Sequence, residues 1–140
     1  PVTDDIELQT ALDTIRAALR DHGPFCSVVG FSQGAALAAL LLTNRVAEYL
    51  DWSPSHVVLL CGFLTRLPAH DSCFASGLRP GATAVTATGK ADRITPPELA
   101  RALGDVLVDS GVRVQHYVHS GGHLPPTPTA DILAFDRIMQ

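Results

Sequence analysis

The sequence contains a serine in the setting of a catalytic nucleophile. The motif GFSQG at residues 30–34 fits the pattern G-x-S-x-G and lies between an apolar β-type run and an apolar helical run. Such a sharp turn holds the serine, here Ser32, in a strained conformation with its hydroxyl projecting from the sheet. We expect Gly30 and Gly34 to be required, because side chains there would collide with the neighbouring backbone. The N–H of Gln33, at the start of the helical run, is the predicted oxyanion donor. A serine that merely caps the helix is the plainer alternative, and the flanking runs disfavour it.

A serine hydroxyl needs a base to remove its proton, and the base needs an orienting carboxylate. Asp92 follows the third β-type run, and His123 follows the fourth after a pair of glycines. The chain order serine, acid, histidine is the one that accompanies the G-x-S-x-G turn. These three residues therefore predict nucleophilic attack on a carbonyl carbon, with His123 as base and Asp92 as its partner.

Other ionisable residues are weaker candidates for these roles. Three carboxylates fall on predicted helices or at their far ends: Asp105, Asp109 and Asp131. His119 is the rival of His123, since it lies nearer to the strand end, whereas His116 is predicted to be a strand residue. The three histidines together read H-x-x-H-x-x-x-H, but no carboxylate or thiolate is interleaved and the spacing spans strand and loop. We therefore predict no metal site and no cofactor.

Alternating helical and β-type runs position the candidate residues. Helical runs cover residues 4–20, 33–50, 97–110 and 129–139, β-type runs cover 25–31, 56–61, 82–88 and 112–118, and a long loop covers 62–80. This alternation predicts an α/β fold with a parallel sheet and helices on both faces. Reactive residues of such sheets gather in loops at the carboxyl ends of the strands, which is where the candidates fall. Four apolar residues would flank the site and favour an apolar acyl group, or serve only as loop-anchoring core: Phe31, Phe63, Leu64 and Leu124.

Composition bounds the class of protein. The length of 140 residues suits a single domain over 1–140, and 46% hydrophobic residues are enough for a packed core. A net charge of −4 without a Lys or Arg cluster argues against nucleic acid and anionic membranes as partners. The longest apolar run, residues 35–42, is shorter than the ~18 residues that span a bilayer. No basic-then-apolar leader opens the sequence, and its three cysteines lack metal-ligand spacing, so we expect reduced thiols and a cytoplasmic location.

Four segments in this order resemble the family of serine hydrolases that includes the fungal FSH enzymes and the animal ovarian-cancer-associated gene 2 protein. They are GPFCSVVGFSQGAALAALL at 23–41, LLCGF at 59–63, GKADRITPP at 89–97 and SGGHLPP at 120–126. The acyl-protein thioesterase and carboxylesterase group shares the GFSQG core, but the glycine pair, the prolines and LLCGF are more similar to the first family. The resemblance implies an α/β-hydrolase fold, a three-layer sandwich with a mainly parallel sheet. It also implies a triad on Ser32, Asp92 and His123 with carboxylesterase or thioesterase activity, in some members on acyl chains held by biosynthetic megasynthases.

The sequence departs from that family at its start. Family members begin with a strand and a His-Gly-type loop, which supplies the second oxyanion donor, followed by another strand and helix. Here the chain begins at the helix before the nucleophile strand. We therefore expect the run at residues 25–31 to have one open edge, covered by a missing N-terminal segment or by a dimer partner.

The predicted function is hydrolysis of a small-molecule acyl ester or thioester, which includes a carrier-bound acyl chain. Two other classes of function are also consistent with the sequence. An acyltransferase would use the same three residues with an alcohol or amine in place of water. A non-catalytic binding module, or an incomplete fragment that needs an upstream segment, would keep the fold without the chemistry.

Overall fold

The structure is a computed structural model that describes residues 1–127. The described elements are α1 (Ile6–His22), β1 (Ser27–Phe31), α2 (Gln33–Leu40), α3 (Asn44–Leu50), β2 (His56–Leu60), α4 (Pro68–Phe74), β3 (Thr83–Gly89), α5 (Pro97–Asp109) and β4 (Arg113–His119). The predicted alternation of helices and strands is confirmed over this range. The predicted helix at 129–139 lies outside the described residues.

The strands form one parallel sheet in the order β1-β2-β3-β4. Each connection advances by one strand in the same direction, so right-handed crossovers place α2 to α5 on one face of the sheet. Because the strands are parallel, the carboxyl ends of β1, β3 and β4 lie on the same side of the sheet, across the ends of the strands. The loops that carry Ser32, Asp92 and His123 all leave from this side.

The core lies between that face of the sheet and the helices. One cluster packs α2 and α5 against β2 and β3, through Ala35, Ala39, Val57, Leu59, Leu103 and Leu107. A second cluster packs α1 against α2 and α3, through Leu8, Leu12, Leu40, Val46 and Leu50. Each fully buried leucine stabilises the fold by about 1.5–3 kcal/mol relative to its exposed state. In the first cluster, α2 contributes small residues and α5 contributes large ones to the core that supports the site loops.

Two local predictions are wrong. The helix predicted over 33–50 is divided into α2 and α3, because Thr43 is extended and its hydroxyl donates to the carbonyl of Leu40. A threonine that bonds its own backbone in this way competes with continuation of a helix. The loop predicted over 62–80 contains α4, which begins at Pro68 and buries Cys73 against the second cluster. A proline in the first turn of a helix costs no hydrogen bond, so the proline-rich composition concealed this helix.

The outer edge of β1 is open within residues 1–127, as the sequence predicted. β1 pairs with β2 on one side, and no described strand lies on the other. Val29 on this strand is 65% exposed and Phe31 is 42% exposed. Among residues 1–127, no helix combines the length and apolar character that crossing a bilayer requires.

Candidate active site

Ser32 occupies the sharp turn between β1 and α2. Its backbone has φ 54° and ψ −118°, in a region that L-residues rarely adopt. Its N–H donates to the carbonyl of Leu60 over 2.8 Å, which ties the turn to β2. A Cβ at Gly30 would lie 2.4 Å from the carbonyl oxygen of Gly34, so the backbone here leaves no room for a side chain. The same expectation for Gly34 is wrong, because a Cβ there meets nothing within 4 Å.

Asp92 lies in the loop after β3 and is almost completely buried. Its Oδ1 accepts hydrogen bonds from the N–H groups of Ile94 and Thr95, each over 2.9 Å. Its Oδ2 accepts from the Thr95 hydroxyl over 2.9 Å and lies 2.8 Å from His123 Nδ1. Burial by itself would raise the pKa of this carboxyl, but the donors from His123, Thr95 and Ile94 outweigh it and lower the pKa to about 2. Asp92 is therefore a carboxylate at neutral pH.

His123 bridges the serine and the carboxylate. Its Nδ1 lies 2.8 Å from Asp92 Oδ2 and its Nε2 lies 3.0 Å from Ser32 Oγ. Since the carboxylate can only accept, Nδ1 carries the proton and Nε2 is the acceptor for the serine hydroxyl. The ring of Phe31 lies 5.0 Å from the imidazole, tilted by 50°, and covers one side of it. The three predicted residues thus form one hydrogen-bonded chain with the polarity of a nucleophile, base and acid.

Close backbone contact holds the histidine loop against the loop that carries Asp92. A Cβ at Gly89 would lie 2.2 Å from the carbonyl oxygen of Gly122, so glycine permits this approach. The N–H of Lys90 donates to the backbone carbonyl of His119, and the N–H of Ala91 donates to the backbone carbonyl of Gly121. The distance between Asp92 and His123 is consequently set by backbone packing as well as by their own hydrogen bond.

The rival histidines have other contacts. The buried imidazole of His119 accepts a hydrogen bond from the N–H of Gly121 through Nδ1 and so supports the histidine loop. The Nδ1 of His116 lies 2.6 Å from the hydroxyl of Thr86, on the face of the sheet that packs against α5. These two residues are separated by three positions on one strand and face opposite sides of the sheet. Asp105 and Asp109 lie on α5, and Asp131 lies outside the described residues.

The four predicted substrate-contacting residues do not form one surface. Phe63 and Leu64 line a groove of about 810 Å³ that also contacts Gln33 and runs between α1, α2 and the loop after β2. Phe31 instead packs on the imidazole, and Leu124 offers its carbonyl oxygen to the thiol of Cys61 over 3.6 Å. Gln33 begins α2, directly after Ser32, so its N–H is one of the free donors of the helix N-terminus.

Two residues at the site were missed by sequence reasoning. The hydroxyl of Thr95 lies 2.9 Å from Asp92 Oδ2, 3.0 Å from His123 Nδ1 and 3.2 Å from the carbonyl oxygen of Cys61. The spacing D-x-x-T before two prolines is a local capping pattern that could have identified it. Cys61 follows β2 with φ 50°, and its buried thiol lies beneath Asp92 and His123. Its place at the carboxyl end of a strand was the available signal.

Comparisons with known proteins identify the family to which the sequence is similar. The sequence model of the family described as Serine hydrolase (FSH1) matches residues 2–133. The zebrafish protein Esterase OVCA2 is 32% identical over 124 residues, which cover 88% of this chain and 52% of the relative. The mouse protein Esterase OVCA2 is 31% identical over 138 residues, covering 94% of this chain and 56% of the relative. This chain thus spans about half the length of these relatives.

A comparison with a solved structure supports the predicted fold. The carboxylesterase of Bacillus cereus superposes with a TM-score of 0.67 at 19% identity, over 96% of this chain and 61% of that one. At this identity the likeness shows the fold alone, which is the predicted α/β-hydrolase fold.

Proposed function

Because this chain belongs to the serine hydrolase (FSH1) family, we propose that it cleaves carboxylic esters or thioesters through an acyl-enzyme intermediate on Ser32. The observation that carries the proposal is the continuous hydrogen-bonded path from Ser32 Oγ through the His123 ring to Asp92 Oδ2. Since the chain spans about half the length of these relatives, the activity is proposed for this chain and not carried over from them.

In the first step, Ser32 Oγ attacks the carbonyl carbon while His123 Nε2 takes its proton. The 3.0 Å separation of these two atoms is within reach of direct proton transfer. Asp92 accepts the Nδ1–H, which holds the productive tautomer and stabilises the imidazolium that forms. Because the pKa of Asp92 is lowered to about 2, the carboxylate keeps its charge at neutral pH.

The tetrahedral intermediate carries its negative charge on the former carbonyl oxygen. The N–H of Gln33, at the positive end of α2, would donate to that oxygen. The bond to the leaving alcohol or thiol then breaks, and His123 returns the proton to it. Water attacks the acyl-serine by the same route, releasing a carboxylic acid and restoring the Ser32 hydroxyl.

The groove beside Gln33 supports an apolar acyl group as the substrate. Its walls include Leu8, Leu37, Phe63, Leu64 and Leu67, and its volume of about 810 Å³ accommodates a chain of several carbons. The groove is open at the surface, so an acyl chain presented by a carrier protein is part of the same proposal. Esters and thioesters share the acyl half that this groove would hold.

We also propose that the open edge of β1 is paired in the working protein, with an upstream segment or a second copy of the chain as the source of the strand. Val29, 65% exposed on this edge strand, supports this because exposed edges of apolar strands promote association. Molar-mass measurement across a concentration series separates a second copy from an upstream segment of the same chain.

A cytoplasmic location is proposed from the cysteines, since Cys26, Cys61 and Cys73 are all free thiols.

Labelling with a fluorophosphonate probe, read by intact mass, tests the proposed nucleophile. We expect one adduct, absent in Ser32→Ala and retained in the control Ser110→Ala, whose serine lies exposed at the end of α5. Adduct formation in Ser32→Ala would place the reactive residue elsewhere. No adduct on folded wild-type protein would contradict the proposal that the described residues form a working site.

Substrate class is tested with matched acyl oxygen esters and acyl thioesters of increasing chain length. The proposal expects turnover that rises with chain length until the groove is filled. Replacing Leu37 by Trp in the groove should shorten the preferred acyl chain while Ser32 labelling persists. Adding alcohols and amines as competing acceptors separates hydrolysis from acyl transfer, because only transfer yields a new ester or amide.

A further inference from the structure

Cys61 is a buried nucleophilic group that the proposed mechanism does not use. It lies directly after β2 at the edge of the sheet that carries the site, and its side chain is fully buried. Its φ of 50° is in the left-handed region, which is unfavourable for a residue with a side chain. Its N–H donates to the carbonyl of Ala87 over 2.7 Å, and its own carbonyl oxygen lies 3.2 Å from the Thr95 hydroxyl. The backbone that carries the thiol is therefore held in place beside the Asp92–His123 pair.

We infer that Cys61, Asp92 and His123 form a site for a thiophilic divalent cation of the Zn²⁺ class, and that occupancy of this site switches the serine off. The thiol sulfur, a carboxylate oxygen of Asp92 and a ring nitrogen of His123 lie within 4.8 Å of one another. Three donors around Zn²⁺ lie about 3.5 Å apart at its usual bond lengths of ~2.0–2.3 Å. To reach this spacing, the carboxylate oxygen and Nδ1, now 2.8 Å apart, would separate slightly, and rotation of the Cys61 side chain would bring its sulfur inward.

The donor set selects the class of cation. A thiolate, an imidazole nitrogen and a carboxylate suit Zn²⁺ and Cd²⁺, whereas Mg²⁺ and Ca²⁺ prefer oxygen ligands alone. The hydroxyl of Thr95, 3.0 Å from His123 Nδ1 and 2.9 Å from Asp92 Oδ2, is the nearest neighbour to a fourth position. Of the three ligands His123 is partly exposed, with 15% of its side chain accessible, so the cation would enter from that side.

Binding conserves charge and releases one proton. In the metal-free protein the Cys61 thiol donates toward the carbonyl oxygen of Leu124 over 3.6 Å, so the sulfur carries its proton. The cation displaces this proton to solvent and binds the thiolate. It also takes the lone pair at His123 Nδ1, whose proton moves to Nε2 through solvent. The thiolate and the Asp92 carboxylate then balance the two positive charges, which leaves the buried site neutral.

The shift of the imidazole proton explains the inhibition. In the metal-free structure Nε2 is the acceptor that lies 3.0 Å from Ser32 Oγ. Once Nδ1 is bound to the cation, Nε2 carries the ring proton and can no longer accept from the serine. Loss of a general base slows acyl transfer by about 10²–10⁴-fold. This consequence rests on the proposed function, whereas binding of the cation does not.

The test uses Cd²⁺ as the probe, because a cadmium–thiolate bond gives an ultraviolet charge-transfer absorption that reports binding without any assay of activity. Metal-stripped wild-type protein is titrated beside Cys61→Ala and Cys61→Ser. The matched control is Cys26→Ser, which removes the exposed thiol before β1. We expect one equivalent to give the absorption in wild type and in Cys26→Ser, and Zn²⁺ to displace it. Both Cys61 variants should lack the absorption.

The rate of fluorophosphonate labelling is followed in the same samples. We expect saturating cation to slow labelling about 100-fold in wild type, with recovery on adding a chelator, and to slow it much less in the Cys61 variants. Absorption that persists in both folded Cys61 variants, or equal slowing in all proteins, would overturn the inference, since the cation would then be held elsewhere. If metal-free protein is not labelled at all, the proposed nucleophile fails, and the cadmium absorption still decides whether the cation site exists.

Discussion

Replacing Asp92 by Asn removes the charge of a carboxylate that is buried beneath His123. The amide has nearly the same shape, and its oxygen can still accept from the N–H groups of Ile94 and Thr95. Its NH₂ group, however, would face the Nδ1–H of His123 and the hydroxyl of Thr95, which are both donors toward Oδ2 in the present structure. The Thr95 hydroxyl can rotate to accept from this NH₂, but the imidazole either loses its acceptor at Nδ1 or takes the other tautomer, which protonates Nε2. The variant therefore loses the charged acceptor at constant volume.

The size of the effect follows from the lowered pKa. A decrease from 3.8 to about 2 corresponds to roughly 2 kcal/mol of stability, at 1.36 kcal/mol per pKa unit. Because the folded-state pKa lies below the unfolded one, this stability is fully present above pH 3.8 and is lost as the pH falls through about 2. About 1 kcal/mol of it is gone by pH 3. An amide does not titrate, so the variant lacks this component at every pH.

Urea unfolding of wild type and Asp92→Asn, in steps from pH 6 toward acid with a chelator present, measures the effect. We expect the stability gap between them to narrow by about 1 kcal/mol by pH 3 and to continue narrowing below that. The gap between wild type and the control Asp105→Asn, at an exposed position on α5, should stay nearly constant. In parallel, Ser32 labelling should fall by about 10³–10⁴-fold in Asp92→Asn at neutral pH, since the imidazole loses its orienting partner. A gap that is constant or widens toward acid would refute the reasoning, because the carboxylate would then not be held in its charged form by these donors.

Further substitutions at Thr95, Ser32, Gly89 and Gly34 test other parts of the site. Thr95→Val should lower kcat/KM about tenfold and raise the pKa of Asp92, because one charge-assisted donor to the carboxylate is lost. Thr95→Ser keeps the hydroxyl and should restore kcat/KM and the pKa of Asp92, both read from a pH–rate profile. Ser32→Gly should be more stable than Ser32→Ala by about 1 kcal/mol in urea unfolding, since glycine relieves the strain of φ 54°; equal stabilities would show that the turn is unstrained. Gly89→Ala should cost about 2 kcal/mol or more and abolish labelling, because its Cβ would lie 2.2 Å from a backbone carbonyl of the facing loop. Gly34→Ala, where space is open, should leave stability nearly unchanged.

The sequence was sufficient for the alternation of helices and strands, for the parallel sheet, and for placing Ser32, Asp92 and His123 in loops at the carboxyl ends of its strands. Apolar β-type runs alternating with helical runs leave few topologies open, and parallel strands place their carboxyl ends on one edge. Asp92 and His123, on different loops, could therefore be matched to Ser32 because each follows the end of a strand. The roles proposed for them rest on chemistry that the labelling experiments address.

What the sequence did not predict depends on particular side-chain and backbone contacts, some of them local and some between distant segments. The break at Thr43 requires a hydroxyl that bonds its own backbone, and α4 requires a surface that accepts Cys73. The room around Gly34 could not be read from the motif, because only the packed backbone shows which glycine is crowded. Cys61 and Thr95 stand inside the quoted segments LLCGF and GKADRITPP, but only the packed loops show that their polar atoms reach Asp92 and His123.

The separation of the site residues along the chain has a consequence for folding. Ser32 and His123 are 91 positions apart and Asp92 and His123 are 31 apart, so their contacts form only after β1 to β4 have all paired. Long-range parallel pairing is slow compared with formation of the helices. A serine-directed probe added during refolding would therefore act as a clock for the final stage of assembly. Labelling competence should arrive after the helical circular dichroism signal, and the delay would measure the time that the sheet needs to close.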